Sequence, residues 1–315
     1  MKGLELAALY YKERCFPMLR AFFPGLARRV AAGLVGEGSE CLGFDDEISR
    51  DHDWGPAICL WLNKRDFNKY GEALRLALDA LPPFFRGFPV RRPGRWSEGR
   101  TGVMEMESFY SKFLGQANVP EKPVEWMAIS DAQLAAATNG EVFADPGGEF
   151  TRIRKKLLAF YPEDVRRKKL AAHCAKVAQA GQYNFPRCAA RGEYVAAALA
   201  EAVFIEAACS AVFLLNRRYA PFYKWLHRAL KALPVMGPDM YARLCALAET
   251  EEPPDRRAGG KKRAIIEDVS RLIADELRRQ GLSAVENDFL LDHAFAVQNG
   301  IQDEYLRNLN VFLGA

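Results

Sequence analysis

Residues 38–55 read GSECLGFDDEISRDHDWG, and the fold follows from how this stretch joins the apolar runs on either side of it. Before it stands Ala31-Ala-Gly-Leu-Val35, a strand-like run leaving an N-terminal helix. After it comes Ala57-Ile-Cys-Leu-Trp-Leu62, a second strand-like run. Gly38 and Ser39 form a small-residue turn that can present backbone N–H groups and a hydroxyl to phosphate oxygens. Asp51 and Asp53 flank His52 ahead of the second run. In an extended chain residues two apart share a side, so both carboxylates face one way and His52 the other. That placement suits two hard divalent cations bridged by shared oxygens. Asp45, Asp46 and Glu47 make a competing acidic group between Gly43 and Ser49, read as a solvated loop or the cap of a short helix.

At 315 residues the chain can bury a real core and divides into two domains by size alone. Half of its residues are hydrophobic and 27% are charged, as in soluble globular proteins. A net charge of +4 is too small to indicate nucleic acid as the partner, and does not oppose a polyanionic ligand such as a nucleoside triphosphate. The seven cysteines include no Cys-x-x-Cys spacing, which predicts free thiols in a reducing cytoplasm. The four histidines are dispersed and suggest no zinc site. Glu5, Lys12, Glu13 and Arg14 interrupt any signal-peptide core. Val195 to Leu215 is the most apolar long window, but Glu201 and Glu206 within it predict a bundle helix and no membrane span.

The periodicity predicts an N-terminal helix over residues 3–30 broken at Pro17 and Pro24, then a helix from Lys64 to Leu81 stopped by Pro82-Pro83. Strands are expected at Phe84–Val90 and at Val103–Glu107, the strand-helix-strand alternation of an α/β sheet domain. From about Phe150 the pattern is helical throughout: 152–161, 162–181, 189–215, 221–233, 239–250, 263–280 and 284–299, with a short tail helix. The expected domains are therefore 1–149, α/β, and 150–315, a helical bundle. The basic run Arg166-Arg-Lys-Lys169 reads as a solvated face. Asn216 to Trp225 mixes cations with aromatic rings and could clamp a triphosphate, with Lys224 the first choice for phosphate contact and Tyr219, Tyr223 or Trp225 stacking on a base.

Val35-Gly-Glu-Gly38-Ser39 followed by Asp51-His-Asp53 resembles the signature of the nucleotidyltransferase superfamily: an apolar residue, Gly-Gly/Ser, a gap of about ten, then two spaced acidic residues. Within it the chain is similar to the kanamycin nucleotidyltransferase and minimal nucleotidyltransferase kind, in a bacterial branch that carries the SRDHDWGP string. The resemblance implies an α+β fold, a nucleotidyltransferase-like mixed sheet domain followed by an α-helical bundle, with the active site in the cleft between them. It implies two magnesium ions on Asp51, Asp53 and a third, strand-borne carboxylate. Met104-Glu105-Met106 matches that third position, with Glu107 as the substitute two residues on. A nucleoside monophosphate would pass from a nucleoside triphosphate, ATP being the first expectation, to an acceptor, pyrophosphate leaving. The acceptor is left open, with a small hydroxyl compound favoured over protein or RNA. Family members draw a general base from the helical domain. Glu193, Glu201 and Glu206 are the candidates, and no motif selects among them. An alternative is a nucleotide-binding or toxin–antitoxin-type partner without turnover. A ribonuclease reading, from Arg167 and His173 with five residues between, is a distant rival.

Overall fold

The computed structural model describes residues 1–51, 54–91, 99–251 and 260–315. The fold is α+β, with one small mixed sheet in the first half and helices after it. Contacts divide the chain into one unit made of Met1–Pro120 with Gln133–Ala159, and another made of Glu121–Ala132 with Phe160–Ala315.

The first unit opens with α1 (Gly3–Tyr10), a π turn (Tyr11–Cys15) and α2 (Phe16–Phe22). The wide turn just ahead of Pro17 lets the helix run past it, where the sequence pattern predicts a break. Strand β1 (Ala31–Leu34) is buried at every position, and β2 (Cys59–Leu62) pairs with it antiparallel, Ala31 opposite Trp61 and Gly33 opposite Cys59. Helix α3 (Lys64–Asp79) starts at Asn63, whose side chain accepts from Asp66 N at 2.9 Å, and ends just before the expected Pro82-Pro83 stop. The expected strand 84–90 is instead a separate hairpin, β3 (Phe84–Phe85) and β4 (Phe88–Pro89). It turns at Arg86 and Gly87, both at positive φ. Strand β5 (Gly102–Glu105) runs parallel to β2, and α4 (Met106–Leu114) follows it directly. After α5 (Pro123–Met127), which belongs to the second unit, and α6 (Asp131–Thr138), β6 (Glu141–Ala144) closes the sheet antiparallel to β1, giving the order β5-β2-β1-β6.

Alternation along β2 sends its side chains to two layers. Ile58, Leu60 and Leu62 join Leu6, Tyr10, Leu19 and Leu74 in a core of buried apolar residues on the α1–α3 face. Trp61 goes the other way, stacking on Phe150 at 4.0 Å and meeting Phe109 of α4 edge-on at 5.3 Å. Phe150 belongs to α7 (Glu149–Leu158), and its carbonyl accepts from Tyr110 Oη at 3.2 Å. These contacts keep α7 with the sheet, so the first unit runs to Ala159, ten residues past the boundary expected at 149.

In the second unit α8 (Glu163–Val177) is buried on nearly all sides. The π turn Ala178–Asn184 and α9 (Phe185–Ala190) continue it to Gly192, at positive φ, which separates α9 from α10 (Tyr194–Leu215). The remaining helices are α11 (Tyr223–Leu230), α12 (Gly237–Glu249), α13 (Gly260–Arg279), α14 (Leu290–Asn299) and α15 (Glu304–Asn308). By length and composition α10 could cross a membrane; from Ala207 to Leu215 it is buried in the protein, and Glu201 pairs with Lys262 of α13 at 2.7 Å. All seven cysteines are free. The basic run of α8 departs from the solvated face expected of it. Arg166, Lys168 and Lys169 are buried. Lys168 Nζ donates to the carbonyls of Asn310 and Val311 at 2.9 and 3.1 Å, and Lys169 reaches Asp131 at 3.5 Å. Their ammonium groups tie α8 to the C-terminal tail and to the 121–132 segment, a use that a run of like charges in sequence does not disclose.

Burial holds the His173 imidazole at about 4, well below its ordinary 6.5. Below pH 6.5 the unfolded chain takes a proton that the folded chain refuses until about pH 4. The stability contributed by neutral His173 is therefore complete above pH 6.5 and lost as pH falls to 4, about 3 kcal/mol in all. Unfolding measured across that window should show the loss in wild type and a correspondingly shallower profile in His173→Leu. Parallel profiles would show that this histidine is not buried neutral.

Candidate functional site

The chain leaves β1 at Leu34 into the turn that carries Gly36, Gly38 and Ser39. Gly36 exchanges two hydrogen bonds with the Asn139 side chain, its N–H donating to Oδ1 at 2.9 Å and its carbonyl accepting from Nδ2 at 2.8 Å. Gly140 N donates to Cys41 O at 2.8 Å. Arg154 of α7 holds the other side of that junction, its Nη2 donating to the carbonyls of Thr138, Asn139 and Gly140 at 2.6–3.1 Å. Gly38 has φ +133°, and a Cβ there would lie 2.6 Å from the Glu40 carboxylate. That carboxylate is buried and accepts from Arg91 Nη1 at 2.5 Å, both side chains about 5% exposed. The turn thus rests on a buried ion pair. Ser39 begins a 3₁₀ turn (Glu40–Leu42) and its hydroxyl makes no capping bond.

Asp45, in the acidic group expected to be a solvated loop or the cap of a short helix, is 3% exposed and accepts from Gly3 N at 2.7 Å and Trp54 Nε1 at 3.1 Å. It caps the start of α1 and fixes the 40–51 loop over it. Asp46 closes a local turn with Ser49, whose N–H donates to it at 3.0 Å. Asp51 is exposed at the end of a second 3₁₀ turn (Ile48–Arg50), with φ −66° and ψ −30°. This is helical backbone, so the extended-chain argument does not place its carboxylate; β2 starts only at Cys59. His52 and Asp53 lie outside the described residues. Asp51 nonetheless belongs to the loop that joins the C-terminal end of β1 to the N-terminal end of β2, the sheet end at which Gly38 and Ser39 lie.

Glu105 does not. The register pairs Gly102 with Cys59 and Glu105 with Leu62, while Cys59 faces Gly33. Glu105 is therefore three strand steps, about 10 Å, from the end that carries the turn. It precedes α4 and accepts from Ser108 Oγ at 2.9 Å. Glu107 is in the first turn of α4 and shares no strand face with Glu105, because the strand ends at Glu105. Met106 and Met104 were apolar neighbours of a strand end, which a local pattern cannot tell from a strand middle.

What the turn end does hold was not singled out by any motif. Glu37, just ahead of Gly38, accepts from Arg100 Nε at 3.1 Å and from Lys112 Nζ at 3.0 Å. Arg100 precedes β5, and Lys112, the seventh residue of α4, is carried back along the sheet by about 9 Å of helix. Two cations from separate elements thus converge beside the glycine turn, separated in sequence by α4's first turns and invisible as a spacing.

In the second unit, Lys224 is exposed at the start of α11 with Nζ 5.2 Å from the Trp225 ring. Tyr219 is packed among Phe160 and Tyr161, and Arg217 pairs with Glu163 at 2.7 Å, while Phe222 and Tyr223 are exposed and Trp225 is half-buried. Glu201 is taken by Lys262, while Glu193 and Glu206 are exposed. The Arg167–His173 pair is not a site: six residues apart on α8 they point about 120° from one another, and His173 is buried while Arg167 donates to Gly300 O. Among the described residues no group of three His, Cys, Asp or Glu side chains is placed to hold a metal ion.

Residues 126–226 match the family described as a domain of unknown function, DUF4037. No curated protein matches the chain. Among solved structures, a nucleotidyltransferase-like protein from Exiguobacterium sibiricum 255-15 is similar at 14% identity and a TM-score of 0.38, over 85% of this chain and 77% of that one.

Removing one partner of the Glu40–Arg91 pair leaves a buried charge without its counterion. Glu40→Ala or Arg91→Ala should each lower stability by about 3–5 kcal/mol in denaturant unfolding, and the double change Glu40→Leu/Arg91→Met should recover most of it. Single variants within 1 kcal/mol of wild type would show that the turn does not rest on this pair.

Proposed function

We propose that the chain is a nucleotidyltransferase, moving a nucleoside monophosphate from a nucleoside triphosphate, ATP first, to the hydroxyl of a small acceptor. The observation that carries this reading is the convergence at one sheet end of the Gly38-Ser39 turn, the loop bearing Asp51, and the cations Arg100 and Lys112. In it the backbone and hydroxyl of Gly38-Ser39 bind terminal phosphate oxygens. Arg100 and Lys112 exchange Glu37 for the triphosphate, whose higher charge makes it the stronger partner.

Of the carboxylates expected to hold magnesium, Asp51 suits the role by its exposure and its sheet end, and Asp53 completes the pair from outside the described residues. Glu105 does not fit and is not assigned a role. Bound magnesium would supply Lewis-acid stabilisation of charge on the reacting phosphoryl oxygens. The protein's own part is to position: the glycine turn fixes the phosphates and the cations hold the leaving pyrophosphate in line, with no covalent intermediate on the chain.

The position of Glu105, three strand steps from the turn end, motivates a second reading, a nucleotide-binding protein without turnover that acts through a protein partner, as in toxin–antitoxin pairs. One assay separates the two. With magnesium and each of the four labelled nucleoside triphosphates, the first reading expects pyrophosphate release or self-labelling that Asp51→Asn and Asp53→Asn abolish while the fold is kept. Turnover unchanged by both substitutions would refute the site; nucleotide binding with no release would select the second reading.

A further inference from the structure

The first unit holds a cavity of about 670 Å³, within the roughly 300–1,000 Å³ usual for small-molecule sites. Its walls come from three elements of the α1–α3 face: Tyr10 of α1, Ile58 and Val103 beside the parallel pair β2/β5, and Leu78 and Leu81 at the end of α3. Such walls suit a flat apolar group lying between sheet and helix. Polar and charged side chains interrupt them, Thr101 and Arg91 together with Arg75 and Asp79 of α3. Thr101 lines the cavity at 5% exposure, and its Oγ1 has no hydrogen-bond partner among the described residues. A buried hydroxyl left without a partner is destabilising, so a ligand that fills the cavity and meets this oxygen gains by it. Arg91 lines the cavity as well, and it is the same guanidinium that holds Glu40 beneath Gly38. Cavity and glycine turn are thus separated by one ion pair.

A wholly apolar guest would leave the Thr101 hydroxyl unpaired, whereas a guest with apolar faces and a polar edge meets both kinds of lining. A nucleobase has apolar faces and an edge of donors and acceptors, which a hydroxyl can meet in either sense. We propose that this cavity receives the base of the nucleotide whose phosphates lie at Gly38-Ser39, Thr101 binding the ring edge and Val103 and Ile58 covering one face. The choice of ligand rests on the nucleotide reading above. The cavity itself does not depend on metal or on transfer.

The test is calorimetric titration of the full chain with adenosine, guanosine, cytidine and uridine, without metal. At least one nucleoside should bind; Thr101→Val should weaken it about tenfold, and Val103→Trp, which fills the cavity, should abolish it with the circular dichroism and melting unchanged. Asp51→Asn should bind that nucleoside as wild type does. Absence of binding by all four, or binding that ignores both cavity substitutions, would overturn the proposal. If metal-dependent transfer persists in that case, the transferase reading stands and the base lies elsewhere. Nucleoside binding that both substitutions weaken, in a chain that releases no pyrophosphate, keeps the cavity and sinks the transferase reading.

Discussion

The chain must leave β1 through a space that admits no side chain, and much of the first unit is arranged around that passage. A Cβ on Gly33 would strike the Glu141 carbonyl, and one on Gly140 the Leu34 carbonyl, so β1 and β6 approach backbone to backbone at the strand exit. The polar groups thereby exposed are met by Asn139 and by Arg154, both contributed from beyond β5. Since an unmade bond to a buried backbone group is costly, the turn after β1 is stable only when the segment from Thr138 to Leu158 has docked. This is why α7 belongs with the sheet.

The same end of the sheet concentrates charge. Glu40 and Arg91 are paired in the interior, while Glu37, Arg100 and Lys112 are paired at the surface. A buried pair is weak evidence for stability in itself, and its use here is to define where the turn lies. The surface trio is different in kind: its ion pairs are solvent-screened and exchangeable, so the two cations can turn to another anion at little cost. The arrangement separates a rigid support beneath Gly38 from a replaceable counterion beside it, which is what a phosphate site on this turn requires.

The fold class, the strands at 31–34 and 59–62, and the helical second half were legible because each rests on a local period or a local stop. Glycine-serine and the acidic spacing were legible as a motif. What was not legible depended on register. Glu105 matched a pattern of apolar neighbours, yet pairing with Leu62 put it at the wrong end of its strand, and no window of sequence states which end faces which. Asp51 was read as extended, and local bonds to Ile48 made the backbone helical. Asp45 stands in a group without an apolar run, which reads as a solvated loop or a helix cap; it is a buried cap because Gly3, distant in sequence, and Trp54 donate to it. Arg100 and Lys112 carried no motif at all, and only the return of α4 along β5 brings them together on Glu37.

Phosphate chemistry is proposed at the end of the sheet where β1 runs out. Anomalous diffraction from crystals soaked with manganese and a nonhydrolysable nucleoside triphosphate locates it directly. Metal peaks at the Asp51 loop with phosphate density against Gly38 and Ser39 are expected. Metal or phosphate bound instead at the Glu105 end of β5, or a glycine turn that stays bare at saturating nucleotide, would contradict it.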